Sequence, residues 1–194
     1  LISFITGKLG GTAMQYHEWS GVAILVLIFY RLFWGILGGR YARFVSFLRG
    51  PRTVIKYARS LFGKKHDAYL GHNPLGGWSI IAMLLILLVQ GGTGLFANDD
   101  ILTEGPLFQL VSKEISDWLT NIHHINQGIL VALIMVHILA IIFYLVGKRE
   151  NLIKPMLTGY KQWHEPVNSS GGNPFLALVV TGILAGVVYL ILYL

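Results

Sequence analysis

Three histidines stand in the most apolar part of the sequence. The run from residue 121 to 147 carries His123, His124 and His137, and its section from 128 to 147 has no charged residue. That section is long enough to cross the hydrocarbon core of a bilayer, about 30 Å, as a helix. Because a polar side chain is costly in that setting, these histidines predict a functional site.

The spacing of these histidines separates them into two sets. The 14 positions from His123 to His137 place both imidazoles on one helix face, about 21 Å apart along the axis. His124 is 13 positions from His137 and points nearly the opposite way. Two imidazoles at different depths on one face suit axial ligation of two stacked haems. The alternative is that His123 lies at the interface and His137 is a polar contact between helices.

A second histidine and an arginine repeat this spacing near the start of the chain. His17 opens the apolar run 17–38, and Arg31 follows 14 residues later on the same face. Arg31 could extend to the membrane surface or pair with a haem propionate. Gly21, one turn below His17, would let a flat macrocycle approach the helix, although it would equally suit close helix packing.

His72 belongs to the motif GHNPLGGW, residues 71–78, directly before another apolar run. At this position it could meet a propionate, a quinone or water. Since an ordinary histidine pKa lies near neutrality, His72 and His124 are candidates for proton exchange with a quinone.

Composition indicates an integral membrane protein. The sequence is 54% hydrophobic and 12% charged, whereas soluble domains contain about 25% charged residues. It has no cysteine, which excludes disulfides, cysteine-held iron–sulfur clusters and covalent haem attachment, so any haem is b-type. Residues 1–6 read as the end of an apolar helix, and we therefore expect the sequence to begin inside a longer protein.

Charge predicts which side of the membrane each loop faces. The loop 39–73 has eight Lys or Arg and one acid, which indicates the cytoplasm, as does the basic excess of 148–173. The loop 98–120 has five acids and one Lys, which indicates the periplasm, and its periodic apolar residues predict a surface helix. The basic amphipathic stretch 51–62 predicts contact with anionic lipid rather than nucleic acid.

Several stretches together resemble the bacterial cytochrome b561 family, which includes the b-type subunits of nickel–iron hydrogenases. The resemblance lies in residues 17–35, 40–51, 69–78, 93–96, the histidine helix and 148–159. It implies an all-α membrane protein with a four-helix haem-binding bundle in 1–159, whose first helix is mostly absent from this sequence. Spans are expected at about 17–38, 74–97 and 121–147. Residues 160–194 would add a cytoplasmic loop and a further C-terminal transmembrane helix.

The resemblance also implies two haem b groups. The topology already favours His17 and His123 as ligands of one haem, because each begins an inward-running span at the outer surface. The resemblance supports that pair and implies that His137 pairs, on the cytoplasmic side, with a histidine of the absent first helix.

The resulting hypothesis is electron transfer across the bacterial inner membrane. Electrons would pass between the quinone pool and a periplasmic partner, either a c-type cytochrome or a dehydrogenase or hydrogenase subunit. Quinone oxidation or reduction is the candidate enzymatic activity. Two alternatives are a histidine-lined pathway for protons or ions, and a passive membrane anchor for a periplasmic redox enzyme.

Overall fold

The computed structural model describes residues 1–61, 63, 69–163 and 171–193. These residues form eight α-helices and two short 3-10 turns, at Gly11–Ala13 and Phe108–Leu110. In chain order the helices are α1 (Ile2–Leu9), α2 (Met14–Leu37), α3 (Phe44–Phe47), α4 (Pro51–Ser60), α5 (Pro74–Gly94), α6 (Lys113–Gly147), α7 (Ile153–Thr158) and α8 (Pro174–Tyr193). No strand occurs in the described ranges, where one isolated bridge joins Asn98 and Glu104. The expected all-α class is confirmed.

Four of these helices are long and apolar enough to cross a membrane. They are α2, α5, α6 and α8, and the mean hydropathy of their most apolar windows lies between 1.9 and 3.0. At 1.5 Å per residue, even the 20 residues of α8 reach about 30 Å, the thickness of the hydrocarbon core. Few of their side chains are buried within the chain, as expected of helices that face lipid. The chain is therefore a multi-pass membrane protein.

Helix α5 lies centrally, in contact with both α2 and α6, while α1 and α8 pack against α2. Leu25 and Ile28 of α2 are among the few buried apolar side chains. A Cβ at Gly91 of α5 would lie 2.5 Å from the Leu25 side chain, so the glycine is what lets α2 and α5 approach this closely. This contact brings the first turns of α2 near the end of α5.

Polar caps fix where α5 and α6 begin. Pro74 stands in the first turn of α5, and the Asn73 side chain accepts a 2.7 Å hydrogen bond from the Gly76 amide. Ser112 caps α6 in the same way, accepting from the Ile115 amide. The motif around His72 is thus the start signal of a membrane helix.

Residues 113–147 form one helix, whereas the sequence predicted a separate surface helix before the histidine span. Only the turn Phe108–Leu110 precedes the Ser112 cap. Ser116, which is fully buried, donates a 2.6 Å hydrogen bond to the Phe96 carbonyl, and Asn98 donates to Ser116. Because these bonds hold the start of α6 against the end of α5, the prediction of a separate helix was wrong.

The stretch predicted as a basic amphipathic helix forms α4, and one buried residue holds it to the bundle. Tyr57 lies with its hydroxyl 2.7 Å from that of Tyr144 in α6, and the Asn73 amide donates to Tyr144 over 3.2 Å. Phe62, at the end of the predicted helix, lies outside the described residues, as do parts of the loops 39–73 and 148–173 and Leu194 of the last predicted span.

Candidate functional site

The fold brings His17 and His123 together. His17 stands in the first turn of α2 and His123 in the third turn of α6, yet their ring centroids are 6.0 Å apart. Two imidazoles that bind one iron from opposite sides, each at about 2 Å, have ring centroids roughly 6 Å apart. The separation therefore fits a bis-histidine site, and the two rings come from different membrane helices.

Hydrogen bonds define the tautomer of His123. Its Nδ1 lies 2.9 Å from the Gln90 backbone carbonyl, which can only accept, so Nδ1 carries the proton and donates. Its Nε2 then holds a lone pair and accepts from Gln90 Nε2, also at 2.9 Å. Metal-binding histidines commonly donate their second ring N–H to a carbonyl in this way, which orients the ring and increases its basicity.

A second polar residue fixes the orientation of Gln90. Asn126 is buried and donates to Gln90 Oε1 over 2.7 Å and to the Ile86 carbonyl over 3.0 Å. Since the oxygen of the Gln90 amide faces Asn126, its nitrogen faces His123. The sequence interpretation missed both residues, although polar side chains inside apolar runs were the available signal.

His17 is oriented by the same kind of bond from a different helix. Its Nδ1 lies 2.7 Å from the Ser3 carbonyl of α1 and therefore donates, which leaves Nε2 as the free lone pair. The Ser3 hydroxyl lies 3.4 Å from the same nitrogen. Helix α1 thus positions one ring of the pair.

Each of the two imidazoles lies against a glycine. A Cβ at Gly7 of α1 would lie 2.7 Å from His17 Nδ1, and one at Gly94 of α5 would lie 2.9 Å from His123 Cε1. Distances below 3.0 Å would force a ring to move. A Cβ at Gly21 would meet nothing within 4 Å, so the helix surface one turn below His17 is open. The pair is held by close backbone approach, with free space beside it.

Of the other two histidines of α6, His137 lies apart from this pair and His124 lies beside it. His137 is half-buried, and no hydrogen bond to it is found among the described residues. His124 is exposed, with its ring centroid 6.2 Å from that of His123. The described part of the chain contains no group of three His, Cys, Asp or Glu that would hold a bare metal ion. A bis-histidine haem needs only two protein ligands.

Arg31 has an unsatisfied donor. Its Nη1 is buried without a hydrogen-bond partner among the described residues. The guanidinium lies over the rings of Phe44 and Phe47, at 4.8 and 5.9 Å from their centroids. Gly35 leaves room for Phe44, since a Cβ there would lie 2.0 Å from that ring. Because buried donors are normally paired, this one is suited to an anionic group such as a carboxylate.

His72 lies at the same end of the bundle as Arg31. Its ring stacks at 4.9 Å on Phe47 and keeps part of its surface exposed. Protein atoms crowded around the ring, and secondly the charge of Arg31, lower the pKa of His72 below its usual range. The imidazole is therefore neutral at neutral pH. It lies at the opposite end of α5 from the His17 and His123 pair.

Comparison with known proteins identifies a family and two named relatives. The chain matches the family described as prokaryotic cytochrome b561 over residues 1–159. It is 22% identical over 167 residues to a Bradyrhizobium diazoefficiens protein named "Probable Ni/Fe-hydrogenase B-type cytochrome subunit", covering 77% of this chain and 66% of that protein. A Rhodobacter capsulatus protein of the same name is 22% identical over 169 residues, covering 77% and 62%.

The chain thus spans about two thirds of the length of the curated relatives it matches. No solved structure matches it significantly. The family match covers every residue of the histidine pair and its supporting glycines, and it confirms the resemblance seen in the sequence. The chain belongs to the prokaryotic cytochrome b561 family.

Proposed function

We propose that this chain forms the electron-carrying core of a membrane cytochrome b, with His17 and His123 as the two axial ligands of one haem. The observation that carries the proposal is the orientation of the two rings. Each donates Nδ1–H to a backbone carbonyl, each rests on a glycine, and the ring centroids are 6.0 Å apart. The Nε2 lone pair of His17 thereby remains available for iron, whereas that of His123 accepts from the Gln90 amide and would bind iron once that amide moves aside.

The residues around the pair fit a haem b group, which when bound would supply reversible one-electron chemistry. The carbonyls of Ser3 and Gln90 hold the imidazoles in the ligating tautomer. Two histidines on one iron leave no open position for a substrate, so electron transfer is the activity that such a site supports.

His137 is proposed as a ligand of a second haem, on the same face of α6 and about 21 Å further along its axis. The other ligand of that haem would be the histidine that the family resemblance assigns to the first helix. Arg31 is proposed to pair with a haem propionate through its unsatisfied Nη1. The open surface at Gly21 would accept the flat face of a macrocycle.

The proposed path runs between the quinone pool and a periplasmic redox partner in the bacterial inner membrane. The names of the two relatives favour a hydrogenase subunit as that partner, and a c-type cytochrome or another dehydrogenase subunit is the alternative. We place the loops 39–73 and 148–173 in the cytoplasm and 98–120 in the periplasm, from their charges. Quinone would react at one surface, with His72 or His124 as the proposed group that exchanges protons with it.

Two other functions remain as competing proposals. A proton pathway would use the same histidines, but the Nδ1 protons of His17 and His123 are donated to fixed carbonyls rather than to a further relay group. A passive anchor would require no electron transfer at all. Neither alternative predicts that replacing His137 slows the reduction of haem by quinol, whereas the electron-transfer proposal does.

The test is the rate at which a quinol reduces haem in the full-length protein reconstituted into liposomes. Reduction is followed by the haem absorbance after a quinol analogue is added, in wild type, His137→Leu and the control Met135→Leu, which replaces an exposed side chain of the same helix. We expect His137→Leu to slow the reduction at least tenfold and Met135→Leu to reduce haem at the wild-type rate. Equal rates in wild type and His137→Leu would refute the path, and protein without haem would favour the proton pathway.

A further inference from the structure

A positively charged pocket of about 340 Å³ lies at the end of the bundle where α2 finishes and α5 begins. It is formed by the connection from α2 through α3 and by the segment just before α5. The residues that define its chemistry are Arg40, Tyr41, Phe47, Arg49, Tyr69 and His72. It is separate from the His17 and His123 pair, and His72 is the one residue of its lining that the proposed function also uses.

The charged side chains that line the pocket are all basic. Arg40 and Arg49 both line it, and no carboxylate among the described residues does. Arg49 directs Nη1 and Nη2 to the carbonyls of Leu48 and Ser46, over 3.2 and 2.9 Å, which fixes the guanidinium and leaves further N–H groups for a ligand. The pKa of His72 is lowered mainly by burial of its ring, and secondly by the charge of nearby Arg31.

The position of the pocket is that of lipid headgroups. Helix α2 ends at Leu37 and α5 begins at Pro74, so the lining residues lie just outside two membrane-spanning helices. Trp78, in the first turns of α5, donates its indole N–H to the Arg49 carbonyl over 2.9 Å. Tryptophan is enriched at this depth of a membrane.

Exposed apolar side chains lie both in the lining of the pocket and in the last turn of α2, which precedes the pocket residues along the chain. Val45 lines the pocket and is 82% exposed, and Ile36 and Leu37 in the last turn of α2 are 68% and 61% exposed. A free anion would gain nothing from these side chains. A ligand with a phosphate and acyl chains would place its phosphate at the arginines and its chains along this apolar surface.

We propose that this pocket binds the phosphate headgroup of an anionic phospholipid, held by Arg40 and Arg49 with its acyl chains against Val45 and the last turn of α2. Headgroup binding would hold the α2–α3 connection against the start of α5. The proposal does not depend on haem ligation, since none of its residues belongs to the histidine pair.

The test is retention of phosphatidylglycerol by the full-length, haem-loaded protein in detergent, measured by native mass spectrometry. The variant is Arg40→Gln/Arg49→Gln, and the matched control is Arg149→Gln/Lys154→Gln, which removes two exposed charges that lie outside both the pocket and α4. Each basic residue near an anionic headgroup strengthens binding about fivefold. We therefore expect the pocket variant to bind about 25-fold more weakly, the control to bind as wild type, and Arg40→Lys/Arg49→Lys to recover most of the binding.

Competition identifies the source of the phosphate. We expect short-chain phosphatidylglycerol to displace the bound lipid, while inorganic phosphate and short-chain phosphatidylcholine at the same concentration do not. Equal loss of lipid in the pocket and control variants would overturn the proposal, as would equal displacement by inorganic phosphate. The haem spectrum is recorded in every variant, so that a folding defect or failure of the haem proposal is distinguished from loss of the lipid site.

Discussion

Replacing Gly94 by alanine tests whether close backbone approach positions the His123 ring. The added Cβ would lie 2.9 Å from Cε1 and 3.2 Å from Nδ1 of that ring, and ordinary contact begins at 3.4 Å. The ring must therefore move by about 0.5 Å, enough to disturb a positioned metal ligand. Overpacking of this kind costs about 1–3 kcal/mol. Since 1.4 kcal/mol is a factor of ten, we expect haem affinity to fall roughly 5- to 140-fold.

The matched control is Gly92→Ala in the same helix, where a new Cβ would meet nothing within 4 Å. Alanine is the better helix former by about 1 kcal/mol, so this variant should be at least as stable as wild type. The assay is haem titration of the full-length protein, followed by the Soret absorbance per protein. Equal haem affinity in the two variants would refute the positioning role of Gly94.

Two further predictions concern groups outside the membrane spans. The carboxylate of Asp99 accepts hydrogen bonds from the backbone N–H groups of residues 101 to 103. These bonds hold the pKa of Asp99 below its usual 3.8. The loop is therefore expected to lose its order as the pH falls toward this lowered pKa. Amide hydrogen exchange should show this loss in wild type and not in Asp99→Asn, and equal pH profiles would contradict it. Burial, and secondly the hydrogen bond to Tyr144, raises the pKa of the Tyr57 hydroxyl above its usual 10. The stabilisation that this hydrogen bond contributes is therefore fully present below pH 10 and is lost as the pH rises above 10. Tyr57→Phe should cost about 1–2 kcal/mol at pH 8 and less at pH 10.5 in thermal unfolding, and an equal cost at both pH values would contradict the buried pair.

Much of the architecture could be predicted from the sequence because membrane helices have a strong and simple signal. The apolar runs around Arg31 and His137 are long, nearly free of charge and bounded by polar loops, and the structure confirms four spanning helices. Histidine spacing also identified His17 and His123 as residues of interest, and the structure places their rings 6.0 Å apart. Periodicity could identify the faces of single helices but not the contacts between them.

The supporting residues could not be predicted, because they depend on how helices approach each other. Gly94 and Gly7 look like ordinary packing glycines in the sequence, and only the assembled bundle shows an imidazole against each. Gln90 acts through its backbone carbonyl as well as its side chain, and a carbonyl carries no sequence signal. The start of α6 was misjudged for the same reason, since the bond from Ser116 to α5 determines it.

The central claim is that His17 and His123 bind the same haem and that His137 binds another. The most direct measurement is haem content by pyridine haemochrome with reduced-minus-oxidised spectra, on full-length wild type and on the Leu variants of His17, His123, His137 and His124. We predict two b haems per wild-type chain, loss of one spectral component in both His17→Leu and His123→Leu, loss of the other in His137→Leu, and retention of both in His124→Leu. Loss of different components in the first two variants, or the absence of haem from wild type, would contradict the account.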